Sequence, residues 1–146
     1  MRYSGRVFKV GRKWAIEVPV LGVTTQGRTK REALEMIADA VEALVNKPGF
    51  SITVHPGDGE YFEAGSEDQA TLVAFLLRRQ RVKHGLSLAA VAERLGAKSS
   101  NTYARYEQGR SVPSIEKLSQ LLSAVSPERD FVLAESRGPD RRWRAA

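Results

Sequence analysis

Leu86-Ser87-Leu88-Ala89-Ala90-Val91-Ala92-Glu93-Arg94-Leu95-Gly96, continued by residues 97–110, is the stretch that decides how this chain folds. Ser87 is placed to cap a short helix that Gly96 stops, and a second helix begins near Ser100 and stops at Gly109. Two helices that cross steeply around a tight turn must be small where they meet, and Ala92 meets that demand. Gly96 supplies a turn backbone that a β-carbon would hinder. Val91, Leu95, Tyr103 and Tyr106 then close a core between the pair, which leaves the N-terminal end of the second helix facing outward.

The flanking sequence completes a helical domain. Upstream, residues 67–84 hold Leu72, Phe75, Leu76 and Arg79 at helical spacing, with Ser66 as the expected N-cap and Gly85 as the stop. Arg78, Arg79, Arg81 and Lys83 crowd its last turns, where the helix dipole favours cations. Downstream, a helix opening at Ser114 carries Ile115, Leu118, Leu121 and Leu122, and a fifth is expected near residues 127–133. These features define a helix-turn-helix domain over residues 67–133.

Residues 70–125 resemble the Cro/repressor (Xre-type) helix-turn-helix family. Tyr106-Glu107-Gln108-Gly109-Arg110-Ser111-Val112-Pro113-Ser114 is similar to that family's turn after the recognition helix. Residues 97–100 form a loop one residue longer than the family's usual form, and Leu88 stands where members often carry a polar residue. The resemblance implies a lambda-repressor-like all-α domain whose second helix enters the major groove of double-stranded DNA. The groove-facing candidates are then Ser99, Ser100, Asn101, Thr102 and Arg105, with Lys98 and Arg110 set for backbone phosphates. Asn can bond an adenine edge and Arg a guanine edge in bidentate fashion. Ser99 and Ser100 are equally suited to capping the helix, and the two roles are compatible.

Before residue 59 the apolar period changes. Val7 to Val10 reads as a short strand, Gly11-Arg12 as a turn, and Trp14, Ile16 and Val18 alternate on a second strand. Residues 22–26 read as a third, rich in β-branched side chains. Thr29-Lys30-Arg31-Glu32 is a capping box. Behind it Leu34, Ile37, Ala38, Val41, Leu44 and Val45 share a helical stripe that Pro48-Gly49 closes, and Ile52 and Val54 alternate on a last strand. The expected order is βββαβ, an α+β layer over residues 1–58. Residues 59–66, polar and acidic through Glu60 and Glu63, read as a linker, and residues 134–146 as a basic flexible tail.

Thr25-Gln26-Gly27 followed by Arg28-Thr29-Lys30-Arg31-Glu32-Ala33 resembles the strand-to-helix turn of HicB-type antitoxins, with residues 14–19 ahead of it also similar. Val20-Leu21 departs from an acidic residue common in members. This resemblance implies a partial RNase H-like first domain that neutralises a small HicA-type ribonuclease toxin, and a second domain that represses its own operon. It also implies a homodimer or higher oligomer on a palindromic operator. The alternative is a one-component transcriptional regulator whose first domain senses a small ligand.

Composition bounds the remaining classes. The chain has 146 residues, 42% hydrophobic and 27% charged, which suits a globular protein. No apolar run is long enough to span a bilayer, so no membrane partner is expected. There is no cysteine, hence no disulfide framework or thiolate metal site, and a cytoplasmic location is expected. The net charge of +6 draws a chain toward nucleic acid without deciding anything alone. An RNase H-type nuclease needs several carboxylates converging on divalent ions. Among strand residues only Glu17 qualifies, while Glu32, Glu35, Asp39 and Glu42 line one helix's polar side as a solvated face. His55 and His84 lie in different halves, without evident acidic or nucleophilic partners. The chain is therefore expected to be a binding protein with no catalytic residues, metal or cofactor.

Overall fold

Alternation at period two in the first residues builds an antiparallel sheet in the computed structural model, which describes residues 1–137. The chain forms two units, Met1–Glu67 together with the segment from Ala134, and Asp68–Leu133. Residues 138–146, which hold most of the expected basic tail, lie outside the described residues.

The first unit is α+β. Strands β1 (Arg2–Val10), β2 (Lys13–Val18), β3 (Val23–Gly27), β4 (Thr53–Pro56) and β5 (Tyr61–Gly65) form one sheet in the order β3-β2-β1-β5-β4. Every neighbouring pair is antiparallel. Helix α1 (Lys30–Val45) lies on one face. Its Ala33, Ile37 and Val41 are buried with Val7, Ile16, Val18, Val23, Phe62 and Ala64 of the strands.

The expected order βββαβ is thus corrected to βββαββ, and residues 59–66 are not a linker. Residues 61–65 are a strand inside the sheet, paired on both sides. Phe62 and Ala64 point into the core, while Tyr61 and Glu63 point to the other face. The acidic side chains that suggested a solvated linker are neutralised across the sheet: Arg6 reaches Glu60 at 2.9 Å and Arg2 reaches Glu63 at 3.2 Å. β5 also explains why β1 begins at Arg2 rather than near Val7, because residues 2–6 pair with residues 65–61.

The capping box forms with one change. Thr29 Oγ1 accepts the Glu32 N–H at 3.0 Å, but the Glu32 carboxylate accepts the N–H of Arg28, also at 3.0 Å, rather than that of Thr29. Gly27 brings β3 against α1. A β-carbon there would stand 2.5 Å from the Ala33 nitrogen, so only glycine permits this approach. The acidic side of α1 is not simply a solvated face. Glu42 accepts the Ile52 N–H at 2.8 Å just before β4, and Pro56 at the other end of β4 has no N–H to offer.

Glu63 is the focus of the face opposite α1. It accepts from Arg2, from the Tyr61 hydroxyl at 2.6 Å, from the Ser136 hydroxyl at 2.6 Å and from the Arg137 N–H at 3.3 Å. The Arg137 guanidinium sits 5.7 Å from the centre of the Tyr61 ring. His55 is its register partner on β4, which places that histidine beside an acid after all. Ser136 and Arg137 therefore act as a strap on the sheet, correcting the expectation of a flexible tail from residue 134.

Burial alone would raise the Glu63 pKa, but hydrogen bonds from Ser136, Tyr61, Arg2 and the Arg137 N–H outweigh it and hold the carboxyl at about 2. The folded value lies below the ordinary 4.5, so this stabilisation is complete above that pH and drains away as pH falls from 4.5 toward 2. Acid titration of wild type and Glu63→Gln, followed by thermal melts, should show a steep loss in this window for wild type only. Parallel curves would remove Glu63 from the acid transition.

The second unit is all helical: α2 (Gln69–Lys83), α3 (Leu88–Arg94), α4 (Ser100–Glu107) and α5 (Ile115–Val125). Asp68, not Ser66, caps α2, its carboxylate accepting from the N–H and hydroxyl of Thr71 at 3.1 and 2.7 Å. The cap is displaced because β5 holds the chain extended to Gly65. Ser87 and Ser114 cap α3 and α5 as the sequence indicates. No helix forms over residues 127–133, where Pro127 follows the end of α5 and Val132 and Leu133 find nothing to pack on.

Candidate nucleic-acid interface

Helices α3 and α4 are joined by residues 95–99, with Gly96 at φ +69°, a left-handed conformation that favours glycine. The Ala97 N–H returns to the Ala92 carbonyl at 2.9 Å and fixes the turn. Val91, Ala92, Tyr103 and Ala104 are buried, so the small residues do lie where the helices meet. Leu95 and Tyr106 are only half-buried. Arg94 bridges α3 to the end of α5, donating to the Ala124 carbonyl at 3.0 Å.

A buried ion pair locks α4 to α2. Arg81 donates from Nε and Nη2 to the Glu107 carboxylate at 2.6–3.0 Å and from Nη1 to the Leu86 carbonyl at 2.9 Å. Their side chains are 17% and 7% exposed, so both charges are largely withdrawn from water. Tyr103 lies beside this pair, fully buried, and its hydroxyl has no hydrogen-bond partner of good geometry among the described residues. Burial first, and the Glu107 charge second, push its phenol well above the ordinary range, so it stays neutral. The sequence reading assigned Arg81 to the helix dipole and missed this pair. Its two members stand 26 positions apart, and no local pattern links them.

Of the residues singled out for DNA, Lys98, Ser99, Asn101, Thr102, Arg105 and Arg110 are exposed and Ser100 is half-buried. Asn101, Thr102 and Arg105 share the outer side of α4, opposite buried Tyr103 and Ala104. Ser99 is the N-cap, its Oγ accepting the Asn101 N–H at 3.2 Å. The Arg110 N–H closes on the Arg105 carbonyl at 3.0 Å, which holds Arg110 next to the end of the helix. The outer side of a short, capped helix thus presents the Asn101 amide and the Thr102 hydroxyl near its N-terminal end and the Arg105 guanidinium in its last turn, with Arg110 just beyond. That donor-rich edge suits base edges and phosphates.

Residues 77–125 match the helix-turn-helix family model of the Xre type, about a third of the chain. This part of the protein is a DNA-binding helix-turn-helix of the kind found in transcriptional regulators, a family of binding rather than catalytic domains. No curated protein matches the chain. Among the described residues no group of three or more His, Asp or Glu side chains is placed to hold a metal ion. No helix among them is long and apolar enough to cross a membrane.

Proposed function

We propose that the chain is an antitoxin and autorepressor: its first unit neutralises a HicA-type mRNA-cleaving toxin, and its second represses the operon that encodes both. The observation that carries this reading is the pairing of a regulator-type helix-turn-helix with a separate α+β unit. That unit's β3–α1 turn holds the Thr25–Ala33 stretch similar to HicB-type antitoxins. A partial RNase H-like origin for the sheet and a cytoplasmic homodimer belong to the same proposal. Lys98, Ser99, Ser100, Asn101, Thr102, Arg105 and Arg110 form the proposed operator contact, Asn101 and Arg105 reading bases, Lys98 and Arg110 holding phosphates, and the hydroxyls of Ser99, Ser100 and Thr102 serving phosphates or bases.

Co-expression with the small neighbouring reading frame tests the first unit, since growth rescue and a stable co-purified complex are expected. A neighbour that is harmless alone, or that never co-purifies, would end the antitoxin reading. For the second unit, Arg105→Ala should weaken the operator complex by roughly 1–3 kcal/mol while sparing random DNA. Equal losses on both in a gel-shift titration would take Arg105 out of base reading.

One feature favours the second reading, a ligand-sensing regulator. Leu34, Ala38, Ile52, Val54 and Pro56, together with the charged Lys30, Arg31 and Glu35, line an open groove of about 560 Å3 between α1 and β4. Operator release by a small ligand, without any protein partner, would support that alternative.

A further inference from the structure

The groove between α1 and the outer strand β4 lies wholly within the first unit, and its volume of about 560 Å3 suits a single small molecule. Leu34 and Ala38 form one wall and Ile52, Val54 and Pro56 the other, and none of the five is buried. At about 1.5 Å per residue the helical wall from Lys30 to Ala38 spans about 12 Å. The extended wall from Ile52 to Pro56 spans about 13 Å. Two walls of matched length make an elongated apolar trough.

The trough is polarised. Lys30 Nζ donates to the Gly59 carbonyl at 2.8 Å, which sets the start of α1 at the Pro56 end. At the other end Glu42 accepts the Ile52 N–H at 2.8 Å, so that carboxylate is already engaged. Lys30, Arg31 and Glu35 also line the groove, and Arg31 pairs with Glu35 at 3.4 Å. One positive charge is left over. It belongs to Lys30, whose ammonium keeps two donors after the Gly59 carbonyl takes one. The complementary occupant has an apolar body along the walls and an anion at Lys30. A pairing peptide strand is poorly served, because the Ile52 N–H is taken and Pro56 has none.

We propose that this groove binds an aliphatic carboxylate of medium length, its chain lying along Leu34, Ala38, Ile52 and Val54 and its carboxylate on Lys30. The assignment rests on the ligand-sensing reading of the groove, but binding is measured apart from operator release, so that each can fail alone.

The probe is octanoate, with octanamide as its uncharged match, each titrated into the full chain while the backbone amide resonances are followed. Saturable shifts confined to the groove, at residues 30–38 and 52–59, are the expected result, with octanamide at least about tenfold weaker. Lys30→Gln should erase that preference, and Ala38→Phe, which fills the trough, should weaken both probes. Should Ala38→Phe fail to fold, the Lys30→Gln comparison decides. No saturable shift with octanoate, equal affinity for the two probes in wild type, or a preference that survives Lys30→Gln overturns the proposal. Groove shifts that follow the protein's own concentration, or protection there by a co-purified protein that octanoate cannot displace, assign the groove to a protein occupant and overturn it equally. Saturable octanoate binding that leaves the operator complex intact upholds the site and removes its regulatory use.

Discussion

Replacing Glu107 by alanine is expected to remove about 3–5 kcal/mol of the second unit's stability, enough to unfold it near physiological temperature. The loss does not come from the ion pair's own net worth, which is small once both ions have been desolvated. It comes from the guanidinium left behind. Arg81 is 17% exposed in its side chain, and without Glu107 it keeps only the Leu86 carbonyl as a hydrogen-bond partner among the contacts described above. Tyr103, packed beside the pair, offers a neutral hydroxyl in place of a carboxylate. Urea titration followed by helical circular dichroism measures the effect, and Arg81→Met combined with Glu107→Leu should recover much of the lost stability. A single substitution costing less than about 1 kcal/mol would mean that Arg81 swings out to water. Because α4 is held on α2 through this pair, operator affinity should fall with stability in Glu107→Ala, unlike Arg105→Ala, which leaves the fold intact.

Phe62→Ala is expected to cost about 3–5 kcal/mol in the first unit. Phe62 is fully buried, central in the sheet, and its ring fills the space that glycine leaves at position 5. A β-carbon at Gly5 would stand 2.2 Å from the ring's Cζ, so the two positions are fitted to each other. Truncating the ring opens a cavity under β1 that the rigid strand pairs on both sides cannot collapse. Hydrogen exchange at the amides of residues 2–10 should accelerate by several orders of magnitude in step with the lost stability. Were residues 61–65 a linker, the same substitution would change nothing beyond about 0.5 kcal/mol.

That contrast shows where the sequence was readable. Helices α3, α4 and α5 were legible because local chemistry marks both ends of each: a serine cap in front, and a glycine or the end of the apolar period behind. The Thr29 cap and the stripe of α1 were legible for the same reason. β5 was not, because a five-residue strand ending in glycine and carrying Glu63 looks solvated when read alone. Glu63 is buried by Arg2 and by a strap 73 residues away, and neither is visible in the local pattern. Arg81 was misread for a related reason, since a cation near a helix C-terminus already has a sufficient local explanation. Of the candidate interface, the side chains on the outer side of α4 follow from helical spacing once Tyr103 is taken as core. The dual setting of Ser99, as cap and as neighbour of the exposed edge, needed the backbone itself.

The outer margin at β4 limits how this protein can stack. Ile52 has surrendered its amide hydrogen to Glu42, and Pro56 never had one, so an incoming chain finds few donors to grip on that side. Among the described residues β3 is the other rim of the sheet, because the remaining three strands are flanked on both sides. Two molecules that met rim to rim there would finish as a closed ten-stranded pair with guarded ends. Such a pair would offer a further molecule only its two β4 margins, each short of backbone donors.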